Sequence, residues 1–274
     1  MKRKAKDLPW ALIGDPHVGC GMAIMPKEGF TGDNGVHYFP SPMQQKLHDR
    51  WENGFWPWVE KETGGRYNVL VNGDLIDGVH HSAVTQWSQH LLDQRRACIE
   101  LLKPIRARAN RFIVVRGTES HVGQSGQHDE AIAEALDAER SPSGTYSHWE
   151  VYLRLGGGLV HIAHHIAATS SPFAKSSALQ RQIALSYVNS GRWGDEPPVM
   201  FVRSHRHQCS WVGEPCKQGI VTCLVLPAWQ LKTPYVHRLA LMQEPEYGGA
   251  ILFSGDNGVY HKPWVERVER PDEI

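Results

Sequence analysis

The chain has no stretch approaching the ~20 consecutive apolar residues that a membrane-spanning helix needs, although 41% of its 274 residues are hydrophobic. Its apolar residues come in short runs, as in an ordinary globular core. The basic start (Lys2, Arg3, Lys4, Lys6) leads only into the brief run 10–13, too short for the apolar part of a secretory signal. Neither charge is in surplus: 29 basic residues face 29 acidic ones. Coating of duplex nucleic acid by bulk electrostatics is therefore not indicated, while a local basic groove stays open. Cysteine is sparse. The thiols Cys20, Cys98, Cys209, Cys216 and Cys223 are odd in number, and the last three recur every seventh residue, unlike the close pairing of a structural zinc site. They read as ordinary thiols of a reducing compartment. Internal repeats, low-complexity tracts and linkers are also absent. The expectation is one soluble, cytoplasmic domain over residues 1–274, with no membrane partner.

What the chain does have is histidine. Its 16 His exceed what packing asks of this length, and neutral imidazole is the commonest side-chain metal ligand.

Short apolar runs alternate with helical patterns, which predicts a layered α/β fold. Runs 10–13, 67–71, 111–115 and 199–202 read as strands. Residues 149–155, the glycine turn 156–158 and residues 159–163 predict a hairpin. Further strands are expected in 219–227 and 250–263. Apolar spacing predicts helices over 43–61 (Leu47, Trp51, Phe55, Trp58), about 82–109 with a break at Pro104, 128–139 and 173–189. The segment 18–42, rich in Gly and Pro, reads as a long loop.

Polar clusters follow five of the apolar runs: Asp15-Pro-His17, Gly73-Asp74-Leu-Ile-Asp77, Gly117-Thr-Glu119-Ser-His121, His164-His165 and His205-Arg-His207. Ligands in open α/β sheets gather outside the carboxyl ends of the strands, so the clusters should converge. A pair of divalent ions roughly 3.5–4 Å apart needs a bridging carboxylate and several further His or carboxylate ligands. Mixed imidazole and carboxylate donors suit Mn²⁺, Fe²⁺ or Zn²⁺ better than Ca²⁺ or Mg²⁺.

The ordered set Asp15-x-His17, Gly73-Asp74-x-x-Asp77, Gly117…His121, His164 and Ser204-His205-x-His207 resembles the calcineurin-like metallophosphoesterase superfamily, including members carried by bacteriophages and prophages. The resemblance implies a four-layer α/β/β/α sandwich with two mixed β-sheets. It implies two divalent metal ions, Mn²⁺ first with Zn²⁺, Fe²⁺ or Ni²⁺ as alternatives, that activate water to hydrolyse a phosphate ester. Carried over by position, Asp15, His17 and His207 bind the first ion, Asp74 bridges, and His164 and His205 bind the second. The family completes the second site with an Asn followed by a catalytic His. Here the chain departs. Glu119 is expected as the second-ion ligand and His121 as the acid on the leaving group; alternatively Thr118 takes the Asn position, with Glu119 behind it. Asp77 is expected to orient a ligand His, as outer carboxylates do. Ser204 replaces the family's Gly. No Tyr lies between Asp74 and His81, so the iron site of purple acid phosphatases is not expected. The implied function is a phosphodiesterase or nuclease acting on DNA, RNA or nucleotides. The alternatives are a phosphomonoesterase, protein phosphatases included, or a catalytically weak metal-binding scaffold.

Several residues carry two readings. His161, His164 and His165 compete for one ligand role; His164 ends the strand, His161 sits within it, and His165 is placed to touch substrate. His80 and His81 line the cleft or lie on a surface loop. Arg116 and Arg206 fit a bidentate phosphate contact or a structural salt bridge. Trp87, Trp193, Trp211 and Trp229 fit stacking on a base or core packing.

Overall fold

The computed structural model describes residues 7–80, 84–167, 175–217, 219–238, 245–255 and 258–267. In chain order the first half runs β1 (Trp10–Ile13), β2 (Phe30–Thr31), β3 (His37–Tyr38), α1 (Pro42–Asp49), a π-helical segment (Arg50–Phe55), α2 (Trp56–Thr63) and β4 (Asn68–Asn72). It continues with α3 (Leu91–Arg108), β5 (Phe112–Val115), α4 (Glu119–Val122) and α5 (Gln127–Ala135). The second half runs β6 (Ser147–His148), β7 (Glu150–Leu155), β8 (Gly158–Ala163), α6 (Ser177–Trp193) and β9 (Met200–Arg203). It closes with β10 (Ser210–Cys216), β11 (Gly219–Val225), α7 (Pro234–Arg238), β12 (Glu246–Gly255) and β13 (Gly258–Arg267).

One sheet has the order β13-β12-β1-β4-β5-β6, the other β10-β11-β9-β8-β7. Both are mixed: β1, β4, β5 and β6 run parallel with β12 and β13 antiparallel, while β8, β9 and β11 run parallel between antiparallel edges. Alternation along the strands assigns the layers. Ala11, Ile13, Val69, Val71, Phe112 and Val114 pack under the helical layer, against Leu47, Trp51, Leu101 and Ile132. Their neighbours Trp10, Leu12, Leu70, Ile113 and Val115 face the second sheet's Leu153, Val160, Ile162, Met200 and Val202. On that sheet's outer face, Phe201, Cys223 and Val225 meet Leu179 and Ile183 of α6. The result is helix, sheet, sheet, helix, the four-layer order the resemblance implied. A slip of one residue in either sheet would turn its inner face outward.

The helix expected over 43–61 is present but interrupted by its π segment. It starts on a capping box between Ser41 and Gln44 and stops at Gly64, whose φ of 66° leaves the helical region. The helix expected over 82–109 begins only at Leu91. Before it, the Gln94 amide bonds the carbonyls of Gly78 and Ser88 (3.2 and 2.8 Å), which holds the chain in an irregular loop; positions 81–83 lie outside the described residues. Pro104 does not break α3, because it sits on the exposed side where water can serve the freed carbonyl. Strand β10 was not expected. Its Pro215 argues against a central strand but is tolerated at this sheet edge, where a missing N–H costs little. None of the five cysteines is in a disulfide. No helix among the described residues is long and apolar enough to cross a membrane.

Candidate metal centre

The loops leaving β1, β4, β8 and β9 are laced into one rim by their backbones. The Asp15 N–H donates to Gly73 C=O (3.1 Å), His17 N–H to Asp74 C=O (3.0 Å) and Ser204 N–H to His164 C=O (2.9 Å). Two glycines make this approach possible: a side chain at Gly73 would overlap the His164 ring, and one at Gly117 would overlap the Asp74 carboxylate. Positive φ is rare outside glycine. Among the described residues it occurs at Asp15 (53°), His17 (44°), Asp74 (52°), His205 (73°), His207 (53°) and, away from the rim, Asp137 (48°). Each such residue costs about 1–3 kcal/mol, and strain concentrated in one place points to function.

These residues form two donor groups. Asp15, His17 and His207 offer atoms within 4.8 Å of one another, and so do Asp74, His164 and His205. In the first group His207 Nε2 lies 3.4 Å from Asp15 Oδ1 and 3.1 Å from His17 Nε2. In the second, His164 Nε2 lies 3.1 Å from Asp74 Oδ2. Ligands about 2.1 Å from one ion stand roughly 3.0–3.5 Å apart, so these spacings suit a shared cation. Both carboxylates reach across: Asp74 Oδ2 is 3.9 Å from His17 Nε2, and Asp15 Oδ1 is 3.8 Å from His164 Nε2. Asp15 Oδ1 and His164 Nε2 are buried with no hydrogen-bond partner. Such orphaned donor atoms are costly unless something satisfies them, and a cation between them would. The residues therefore fit a divalent pair.

Contacts behind the rings set which atoms face the site. His164 Nδ1 bonds the Asn72 carbonyl (2.7 Å), so that nitrogen carries a proton and Nε2 is the atom turned to the site. His17 Nδ1 stands 3.4 Å from Asp77 Oδ1. The Asp77 carboxylate is held in turn by Gln86 (2.6 Å) and Gln230 (3.0 Å). Asp77 also receives His121 Nδ1 on its backbone carbonyl (2.7 Å). His17, Asp77 and His121 make a third cluster that shares His17 with the first group.

Burial alone would raise the pKa of Asp15 and Asp74, but His164 and His17 outweigh it and hold both below the carboxylate range. Burial opposes a charge on the imidazoles too. Even so, Asp15, Asp77 and Asp74 lift His17 to about 10, and Asp74 and Asp15 lift His164 to about 9. Without metal, then, protons on two histidines neutralise the carboxylates. His121 goes the other way: burial and the adjacent His17 push it down to about 4. The leaving-group acid expected there needs a protonated ring, whereas these surroundings favour a neutral one.

Glu119 is not brought to the centre. It is exposed at the start of α4 and belongs to none of the donor groups. Thr118 lies closer: buried, it donates its N–H (2.6 Å) and hydroxyl (2.8 Å) to Asp74 Oδ1. The correction has a local cause, since Thr118 is the last extended residue before α4 and lies directly against the β4 loop. Of the competing histidines, His164 is in the group. His161 bonds Glu150 (2.9 Å) on the outer face, and His165 is exposed with its ring 4.9 Å from His205. His80 stacks edge-on to His121 at 4.2 Å, while His81 lies outside the described residues. Arg116 is taken by Glu130 and Ser147, and Arg206 by the carbonyls of Ala167 and Lys175, so neither is free for phosphate. Trp229 is core, with its N–H of the backbone on Asp15 C=O (3.0 Å), and Trp87 packs on Phe30 and Tyr38. Trp193 and Trp211 are exposed. Asn72, Gln86, Gln230 and Asp129 were not anticipated; only Asn72, next to the Gly73-Asp74 motif, had a neighbour that could have flagged it.

Comparisons with protein-family models and with curated proteins give no match. Among solved structures the chain is similar to Vps29 of Chaetomium thermophilum, at 10% identity and a TM-score of 0.42 over 96% of this chain and 97% of that one. It is similar to an archaeal phosphodiesterase at 8% identity and 0.42, over 94% and 100%. A metallophosphoesterase from Sphaerobacter thermophilus aligns at 13% identity and 0.41, over 96% and 90%. Likenesses this distant carry no statement about activity, which rests on the residues at the rim.

Proposed function

We propose that this chain is a metal-dependent phosphoesterase that uses two divalent ions, Mn²⁺ first, to hydrolyse a phosphodiester of a nucleic acid or nucleotide. One observation carries the reading: two largely buried three-residue donor groups face each other, with Asp15 Oδ1 and Asp74 Oδ2 reaching from one to the other. A divalent pair bound there supplies Lewis acidity toward the phosphoryl group and acidifies water. The chain's own residues do the rest. Asn72 and Asp77 fix the ring orientations of His164 and His17, and Thr118 aims the Asp74 carboxylate. His121, its Nδ1 tied to the Asp77 carbonyl, offers an unprotonated Nε2 to the attacking water. His165 stands exposed beside His205, where a substrate would enter.

Charge favours the diester. Asp15, Asp74 and Asp77 offset most of the charge of two divalent ions, and Arg116 and Arg206 are both engaged elsewhere. A centre with so little positive surplus suits a monoanionic diester better than a dianionic monoester. The test is hydrolysis of bis-p-nitrophenyl phosphate, p-nitrophenyl phosphate and single-stranded DNA with Mn²⁺, Ni²⁺, Zn²⁺ and Mg²⁺. The reading expects the diester to be preferred over the monoester by more than about tenfold in kcat/KM, with loss in Asp74→Asn. Preference for the monoester would make the chain a phosphomonoesterase. Metal uptake without cleavage of any of the three would leave a binding scaffold.

A further inference from the structure

The first turn of α5 sends two adjacent carboxylates toward the strand ends, and they do different work. Glu130 binds outward. Its oxygens take the N–H groups of Tyr146 (2.9 Å) and Ser147 (2.8 Å) and the Arg116 guanidinium (3.3 Å), fastening β6 to the loop after β5. Asp129 binds inward. It is wholly buried, and one oxygen accepts the Gly117 N–H (2.9 Å) while the other accepts the Leu75 N–H (3.3 Å). Gly117 immediately precedes Thr118, and Leu75 immediately follows Asp74. The two bonds therefore clamp the loops that bring the Thr118 hydroxyl onto the Asp74 carboxylate.

The choice of an acid here needs a reason, because a charge without a basic partner is expensive to bury. Glu130 has Arg116, whereas Asp129 has no ion pair among the described residues. Geometry supplies one reason: both groups facing Asp129 are N–H donors, and only a carboxylate presents an acceptor to each. An amide would turn its NH₂ toward one of them. Burial and the nearby Asp74 raise the pKa of Asp129 to about 7.

We infer that Asp129 is a positioning residue of the metal centre, holding Thr118 against Asp74 so that the Asp74 carboxylate faces both donor groups. The inference rests on the metal-dependent reading above. Its test is calorimetric titration of the full-length protein with Mn²⁺ alone, for wild type, Asp129→Asn, Thr118→Val and Glu130→Gln, alongside thermal melting of each. Outer contacts of this kind change metal affinity by about 10–100-fold, and that loss is expected for the ion nearer Asp74 and His164 in Asp129→Asn. Thr118→Val should lose affinity in the same direction, and keeps the inference testable if Asp129→Asn does not fold. Glu130→Gln should melt earlier than wild type yet bind Mn²⁺ as wild type does, since a merely structural role moves stability alone. Unchanged Mn²⁺ affinity in Asp129→Asn or in Thr118→Val, or affinity losses that simply track melting temperature across the set, would overturn the inference. A wild-type protein that takes up no ion would instead remove the metal-dependent reading, and this inference with it.

Discussion

The two donor groups are built from similar residues but braced differently. In the first, His17 leans on the carboxylate of Asp77, which Gln86 and Gln230 hold in place. In the second, His164 leans on a neutral carbonyl, that of Asn72, and His205 has exposed His165 beside it. A carboxylate behind an imidazole makes it a stronger donor than a carbonyl does. In the second group, burial and His164 also press His205 down to about 4. The first group should therefore hold its ion more tightly, and the second should exchange.

The largest expected effect ignores this asymmetry. Asp74→Asn should lower Mn²⁺-dependent diester hydrolysis by about 10³-fold or more, with metal content falling at both positions. His17→Ala and His205→Ala should then part company: the first loses the tight ion and is not recovered by added Mn²⁺, while the second is recovered as Mn²⁺ is raised. Equal rescue of both would erase the proposed difference. Asp77→Asn should weaken only the tighter ion, by about 10–100-fold in calorimetry.

The smallest effects are in protons. His17 and His164 have folded pKa values above the 6.5 of a free imidazole, so their protonation stabilises the metal-free fold fully below pH 6.5. That contribution drains away as pH rises through about 9 and then about 10, and the metal-free melting temperature should fall across this range. Metal loading should flatten the curve, because bound ions replace those protons. At pH 7, Mn²⁺ uptake should release protons, measured by calorimetry in buffers of different ionisation enthalpy. Release that does not diminish toward pH 10 would contradict this origin.

The layers and the site could be read from the sequence for one physical reason. The strands of a buried sheet are short apolar runs, and the polar residues just beyond them must lie at its rim. That rule, together with the family resemblance, picked out Asp15, His17, Asp74, His164, His205 and His207, which the structure gathers at one rim. What escaped were contacts set by three-dimensional approach. Thr118 meets Asp74 across 44 positions, and nothing local distinguishes it from the more chemically obvious Glu119. Asp129 was hidden in a helical pattern, where an acidic residue in the first turn looks like dipole compensation. The late start of α3 depends on Gln94 reaching back to Gly78, which hydrophobic spacing does not register. The tryptophans escaped because composition does not separate a core ring such as Trp229 from an exposed one such as Trp193.

The central claim is that two ions lie between these groups. A crystal of the Mn²⁺-soaked protein, with anomalous scattering recorded at the manganese edge, tests it most directly. The account predicts two peaks roughly 3.5–4 Å apart, one against Asp15, His17 and His207 and the other against His164 and His205, with Asp74 touching both and the first peak the fuller. A single peak at the rim, or manganese bound only away from these residues, would contradict it.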